Sequence, residues 1–128
     1  MAEKIVEADI YGLIGEAGLR RLVAAFYRRV PDDPVLGAMY PKEELAAAEL
    51  RLGGFLIQRF GGPDTYSRER GHPRLRMRHA PFAVGIVARN HWMSLMTAAL
   101  DEVGFDPPVR ALLESYFLGT ANFMMNTD

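Results

Sequence analysis

The chain has 128 residues, of which 49% are hydrophobic and 24% charged, and it contains no cysteine. That length argues for one domain spanning residues 1–128, in which folding buries roughly 65% of the surface exposed by the unfolded chain. Fifteen Lys and Arg against sixteen Asp and Glu leave a formal charge of -1, so no global field draws the chain to nucleic acid or to an anionic membrane. The missing cysteines exclude disulfides, thiolate metal sites and a Cys nucleophile. No apolar stretch approaches the ~18 residues of a membrane span. The opening run Met1-Ala2-Glu3-Lys4-Ile5-Val6-Glu7-Ala8-Asp9 is acidic where a secretion signal is basic and then apolar. A soluble, cytoplasmic domain is expected.

Four stretches carry the 3.6-residue period of amphipathic helices. The first covers about 16–30, with Leu19, Leu22, Val23, Phe26, Tyr27 and Val30 on one stripe. Residues 31–41 hold three prolines and allow only short helical turns. The second helix is expected from about Lys42 to Phe60, with Leu45, Ala48, Leu52, Phe55 and Leu56 inward. Gly61-Gly62-Pro63 stops it, because glycine tolerates a left-handed cap and proline cannot continue a helix. Gly53-Gly54 sit in its middle at a cost of roughly 1 kcal/mol each against alanine. A close helix crossing or a mild kink explains them most simply, and room for a bulky ligand or a tunnel beside the backbone is the alternative.

Residues 61–80 are polar and Arg-rich, and no strong helix is written in most of them. A connection of that length in a small domain is usually functional or disordered, and this one is taken as functional. A third helix is expected from near Pro81 to about Val103, ending at Gly104. Asp106 then caps a last helix that starts with Pro107 and Pro108 and carries Val109, Leu112, Leu113, Tyr116, Phe117 and Thr120 on one face. Nothing alternates with period two. The fold class is all-α.

Few residues announce chemistry. His72, His79 and His91 include no i, i+4 pair of the kind that holds zinc on a helix, the carboxylates form no paired signature, and there is no phosphate loop or nucleophile elbow. His72, in Gly-His-Pro, reads as a loop residue with a local hydrogen bond. His91 precedes Trp92, so the two side chains diverge by about 100° around a helix. If Trp92 points inward, His91 lies on the flank or in solvent. His79 stands just before the Ala80-Pro81 boundary and is the best single-ligand candidate.

Arg68, Arg70, Arg74, Arg76 and Arg78 cluster against Glu69 alone. Nucleic acid, a solvated loop, carboxylates of a bound ligand and the acidic C-terminal third remain open as their partners. Tyr27, Tyr40 and Trp92 bring polar tips onto apolar faces, either as separate core aromatics or as donors converging on one ligand.

These residues also carry a resemblance. Gly61-Gly62-Pro63-Asp64-Thr65-Tyr66 and Arg70-Gly71-His72-Pro73-Arg74-Leu75-Arg76-Met77-Arg78-His79-Ala80-Pro81-Phe82 are similar to the group II truncated haemoglobins, as are Phe26-Tyr27, Tyr40-Pro41 and Trp92. The similarity runs from about Gly12 to the last helix. It implies a two-over-two helical sandwich holding haem b. In that resemblance His79 matches the proximal iron ligand, its other ring nitrogen donating to a backbone carbonyl. Arg51 and Arg78 match positions that pair with the haem propionates, with Tyr66 a weaker candidate. Leu52, Phe55, Leu56, Met77, Phe82 and Trp92 would contact the porphyrin. Tyr27, Tyr40 and Trp92 match the polar aromatics of the distal pocket. Ala48 stands where many globins carry a distal His or Gln, and its small side chain could leave an entry route open.

O₂ held in such a pocket carries partial negative charge, so O–H and N–H donors favour it. Each such bond is worth about 1.5–3 kcal/mol, and 1.4 kcal/mol is tenfold in equilibrium. The expectation is tight binding of O₂ and other diatomic ligands with slow release, suited to scavenging, sensing or short-range supply. The alternative is redox chemistry at the same iron, of the peroxidase or NO dioxygenase kind. That chemistry would need an external reductase, since no nicotinamide or flavin motif is present. Enzymatic activity is neither expected nor excluded, and a homo-oligomer stays open. A haemless helical interaction module using the Arg-rich loop is the third reading.

Overall fold

Amphipathic stripes need partners, and the first stripe finds two. The structure is a computed structural model that describes residues 4–71 and 84–126. Helix α1 spans Ile10–Arg29, after a 3-10 turn at Glu7–Asp9. Helix α2 is four residues, Leu36–Met39, after a second 3-10 turn at Val30–Asp32. Helix α3 runs Leu45–Arg59 behind the turn Lys42–Glu44, and α4 is short, Thr65–Arg70. Helices α5, Ile86–Val103, and α6, Pro107–Met124, complete the described chain. No strand occurs among the described residues.

Helix α1 packs against α3 on one side and α5 on the other, α6 lies along α5, and α4 docks on α3. This is the expected all-α, two-over-two arrangement. Leu19, Leu22, Val23, Phe26, Tyr27 and Val30 are all buried, as the period predicted. The stripe of α6 follows suit: Val109, Leu113 and Phe117 are buried, while Leu112 and Tyr116 pack partly buried against them.

Helix α1 starts earlier than the periodicity indicated because a break hides its first turn. Gly15 has φ 68° and ψ -179°, a conformation open essentially to glycine alone. The leg before it is held by tertiary contacts instead of propensity. Ile10 is fully buried, and the Tyr11 N–H donates to the Phe60 carbonyl at 3.1 Å.

The start of α5 is a correction. It begins at Ile86 and not near Pro81, with Gly85 extended in front of it. Val84 is drawn out of helical geometry by Asn126: its N–H donates to Asn126 Oδ1 at 2.8 Å, and its carbonyl accepts the Asn126 N–H at 2.8 Å. Gly104 ends the helix in the left-handed conformation, as expected. Asp106 takes the N-cap position of α6 but makes no side-chain capping bond.

The polar stretch after α3 contains one helix the sequence did not advertise. Helix α4 is hydrogen-bonded to α3 through Gln58, whose Oε1 accepts the Ser67 N–H at 2.8 Å and whose Nε2 donates to Ser67 Oγ at 2.7 Å. In the same helix Arg68 pairs with Asp64 at 2.8 Å. Arg74, Arg76 and Arg78 lie outside the described residues.

Gly53 faces α1, where the end of the flexible Arg20 side chain lies over it. A Cβ there would stand 2.9 Å from Nη1 of Arg20 on α1, whereas one at Gly54 would meet the Tyr66 ring at an ordinary 3.7 Å. Neither glycine lines the cavity described below.

Gly15→Ala should therefore cost about 1–3 kcal/mol of stability. Gly119→Ala, on α6 where an added methyl group meets nothing within 4 Å, should gain up to about 1 kcal/mol. Thermal denaturation followed by circular dichroism reads both. Equal melting temperatures would show that the bend in α1 is not set by Gly15.

Candidate functional site

Consecutive residues on a helix diverge by about 100°, and α1 uses this at Phe26 and Tyr27. Phe26 is fully buried and meets Trp92 of α5 with ring centroids 5.3 Å apart. Tyr27 is 7% exposed and meets Tyr40 edge-on at 5.8 Å. The Phe26 ring touches Tyr27 as well, at 5.0 Å, so one phenylalanine joins both polar aromatics to the core. Trp92 continues to Phe117 of α6 at 5.7 Å.

Tyr27, Tyr40, Trp92 and Phe117 border a cavity of about 320 Å³. Its walls come from Tyr27 of α1, the segment around α2, one face of α3, Tyr66 of α4, and the facing sides of α5 and α6. Ala48, Leu52, Phe55, Leu56, Val84 and Ala88 make most of it apolar, and Tyr27, Tyr40, Trp92, Arg51 and Arg89 add a few polar groups.

Nine of the residues singled out in the sequence thus share one cavity: Tyr27, Tyr40, Ala48, Arg51, Leu52, Phe55, Leu56, Tyr66 and Trp92. Tyr66 is buried with its ring 5.7 Å from Phe55. His79, Arg78, Met77 and Phe82 lie outside the described residues, as does His72. The sequence reading passed over Arg89, which lines the cavity from the second turn of α5 and donates to Asn122 Oδ1 at 2.9 Å. A basic residue three positions before Trp92 was the only available signal for it.

The two tyrosines act as a pair. Burial pushes the Tyr27 phenol far above its usual range, and neighbouring Tyr40 adds to this while the Arg51 guanidinium opposes it. Burial also raises Tyr40, less the effect of Tyr27 and Arg51. The two hydroxyls share a hydrogen bond. Both groups are therefore neutral phenols at physiological pH, and with one O–H used in the bond between them the pair has one left to offer a ligand.

His91 occupies the flank, as expected when Trp92 turns inward, but it is engaged. Its Nδ1 stands 2.9 and 3.1 Å from the two carboxylate oxygens of Asp33. A carboxylate only accepts, so Nδ1 carries the proton. Among the described residues no group of three or more His, Asp or Glu could hold a metal ion.

The donor set fits haem on its chemistry. An apolar cleft suits a porphyrin body, Arg51 and Arg89 suit its carboxylates, and protonated phenols and an indole suit a polar ligand beside it.

Comparison with known proteins agrees. A family model described as bacterial-like globin matches residues 9–125. Over 116 residues the chain is 39% identical to group 2 truncated hemoglobin YjbI of Bacillus subtilis (strain 168), covering 91% of this chain and 87% of that one. Its fold matches the crystal structure of hemoglobin from the thermophilic phototrophic bacterium Chloroflexus aurantiacus with a TM-score of 0.88. Identity there is 50%, over 92% of this chain and 98% of the other. The truncated oxygen-avid haemoglobin from Bacillus subtilis matches with a TM-score of 0.87 and 38% identity, over 91% and 98% of the two chains. Haemoglobins of this family bind haem b and, through it, small ligands. The chain belongs to the bacterial-like globins and, among them, to the group II truncated haemoglobins.

Proposed function

We propose that this chain is a single haem-binding domain over residues 1–128 that holds O₂ tightly and releases it slowly. The observation that carries this reading is the placement of Tyr27, Tyr40 and Trp92 around one mostly apolar cavity, with both phenols kept protonated by burial. Haem, when bound, supplies the iron at which O₂ and other diatomic ligands bind reversibly. His79 is the proposed iron ligand, with Arg51 and Arg78 as partners of the propionates.

The chain's own residues do the rest. The Tyr27–Tyr40 pair, through the O–H not used between them, and Trp92 offer hydrogen-bond donors to a ligand that gains negative charge on binding. Leu52, Phe55 and Leu56 keep water away from it. Ala48, buried on α3 at the cavity wall, brings no competing donor. Slow release suits scavenging, sensing or short-range supply better than bulk delivery. The oxygen-avid description of the Bacillus subtilis relative supports the same direction.

A donor to a charged acceptor is worth about 1.5–3 kcal/mol, or tenfold and more in a rate that depends on it. Trp92→Phe should therefore speed O₂ dissociation from the haem-loaded protein by about tenfold in stopped-flow measurements. An unchanged rate would rule out the convergence of donors.

The reading also requires Tyr27 to stay protonated well into alkali. A free phenol titrates near pH 10, so ultraviolet absorbance of wild type and Tyr27→Phe should diverge only above that range. Because the folded pKa is raised, the stability tied to the neutral phenol is complete below the free-phenol value and is lost as pH climbs above it. Divergence already below pH ~10 would show that the phenol is not shielded.

A further inference from the structure

A helix of four residues cannot hold itself in place, so α2 takes its position from its ends. One end is Tyr40, whose N–H donates to the Leu36 carbonyl at 3.1 Å. The other is organised by Asp33. Its Oδ1 accepts the N–H groups of Val35 and Leu36 at 2.9 and 2.8 Å, and its backbone carbonyl accepts the Gly37 N–H at 2.8 Å. Those contacts, the Leu36 N–H foremost, hold the Asp33 carboxyl below the usual carboxylate range.

All of these bonds are local, and they set the shape of the segment without placing it against anything else. Leu36 sits in the core and Tyr40 meets Tyr27, and the bond from His91 adds a directional tie to α5. It joins Asp33 to α5 across 58 positions of sequence, one residue from Trp92. Asp33 is 11% exposed and His91 34%, so the pair is shielded enough for its geometry to matter. One hydrogen-bonded pair therefore spans the two elements that present Tyr40 and Trp92 to the cavity.

We propose that His91 is a positioning residue for the ligand: through Asp33 it fixes the segment that presents Tyr40 against the helix that presents Trp92. The inference rests on the reading that these two side chains reach the bound ligand. His91 itself does not line the cavity, so its effect on the ligand is transmitted.

The test uses the haem-loaded protein and two readouts: the O₂ dissociation rate, and the C–O stretching frequency of the CO complex, which senses donors beside the ligand. His91→Leu removes the N–H. It should speed O₂ release by about threefold or more and shift the C–O band toward that of Tyr40→Phe. His91→Asn keeps an N–H donor at the δ position and should restore both values. The rescue guards against a misfolding explanation, since asparagine has a lower helix propensity than leucine.

If His91→Leu matches wild type in rate and band while Tyr40→Phe does not, the proposal fails and the distal reading stands. Failure of His91→Asn to restore what His91→Leu loses would equally overturn it, by showing that the imidazole's bulk matters and not its bond to Asp33. If Tyr40→Phe and Trp92→Phe also match wild type, the distal reading fails and the proposal falls with it.

Discussion

A phenol hydroxyl moved from water into an apolar cavity costs about 1–3 kcal/mol unless a partner meets it. Tyr27 is in that position, on the buried stripe of α1, and Tyr40 supplies the partner. Among the described residues no buried side-chain nitrogen or oxygen lacks a hydrogen-bond partner. That condition dictates much of the local architecture. Tyr40 must be brought to Tyr27, which requires the proline-punctuated turn after α1 to fold back across the cavity. Burial that keeps both phenols protonated also leaves the pair with one O–H to donate, so the constraint that shapes the pocket also equips it chemically.

Helix α1 is the element shared by both layers of the sandwich. Gly53 lets α3 approach it closely enough for Arg20 to lie over the glycine, while Phe26 meets α5 through Trp92. From Trp92 the ring contacts continue to Phe117, then Tyr116, then Phe60 at the end of α3. A cavity bounded by residues in this network has walls that resist collapse, because each ring is held by at least one other. Offset and edge-on aromatic pairs contribute about 0.5–1.5 kcal/mol each beyond the burial of their area. Tyr27 and Trp92 are thus placed by core helices.

Much of this was legible in the sequence. The apolar period located the cores of α1, α3, α5 and α6, since a stripe such as Leu19 to Val30 has only one sensible face to bury. Tyr27, Tyr40 and Trp92 were visible because polar aromatics on apolar stripes need partners. What escaped notice depended on contacts distant in sequence. The first leg of α1 is held by Ile10 in the core and by a bond from Tyr11 to Phe60, and no local pattern announces either. The start of α5 moved because Asn126 claims both backbone groups of Val84. Helix α4 depends on Gln58, and the bond of His91 to Asp33 joins residues that are unremarkable one at a time. The run from His72 to Ala83, which carries the most specific resemblance, lies outside the described residues, so its roles rest on that resemblance.

Whether the cleft takes haem through His79 is the claim on which the functional account stands. The most direct measurement is a visible absorption titration of the purified protein with haemin, repeated with His79→Ala and followed by reduction under CO. The account predicts a one-to-one complex whose CO spectrum is that of histidine-ligated haem, and a weakened or altered spectrum in the variant. A protein that binds no haem, or a variant indistinguishable from wild type, would contradict it.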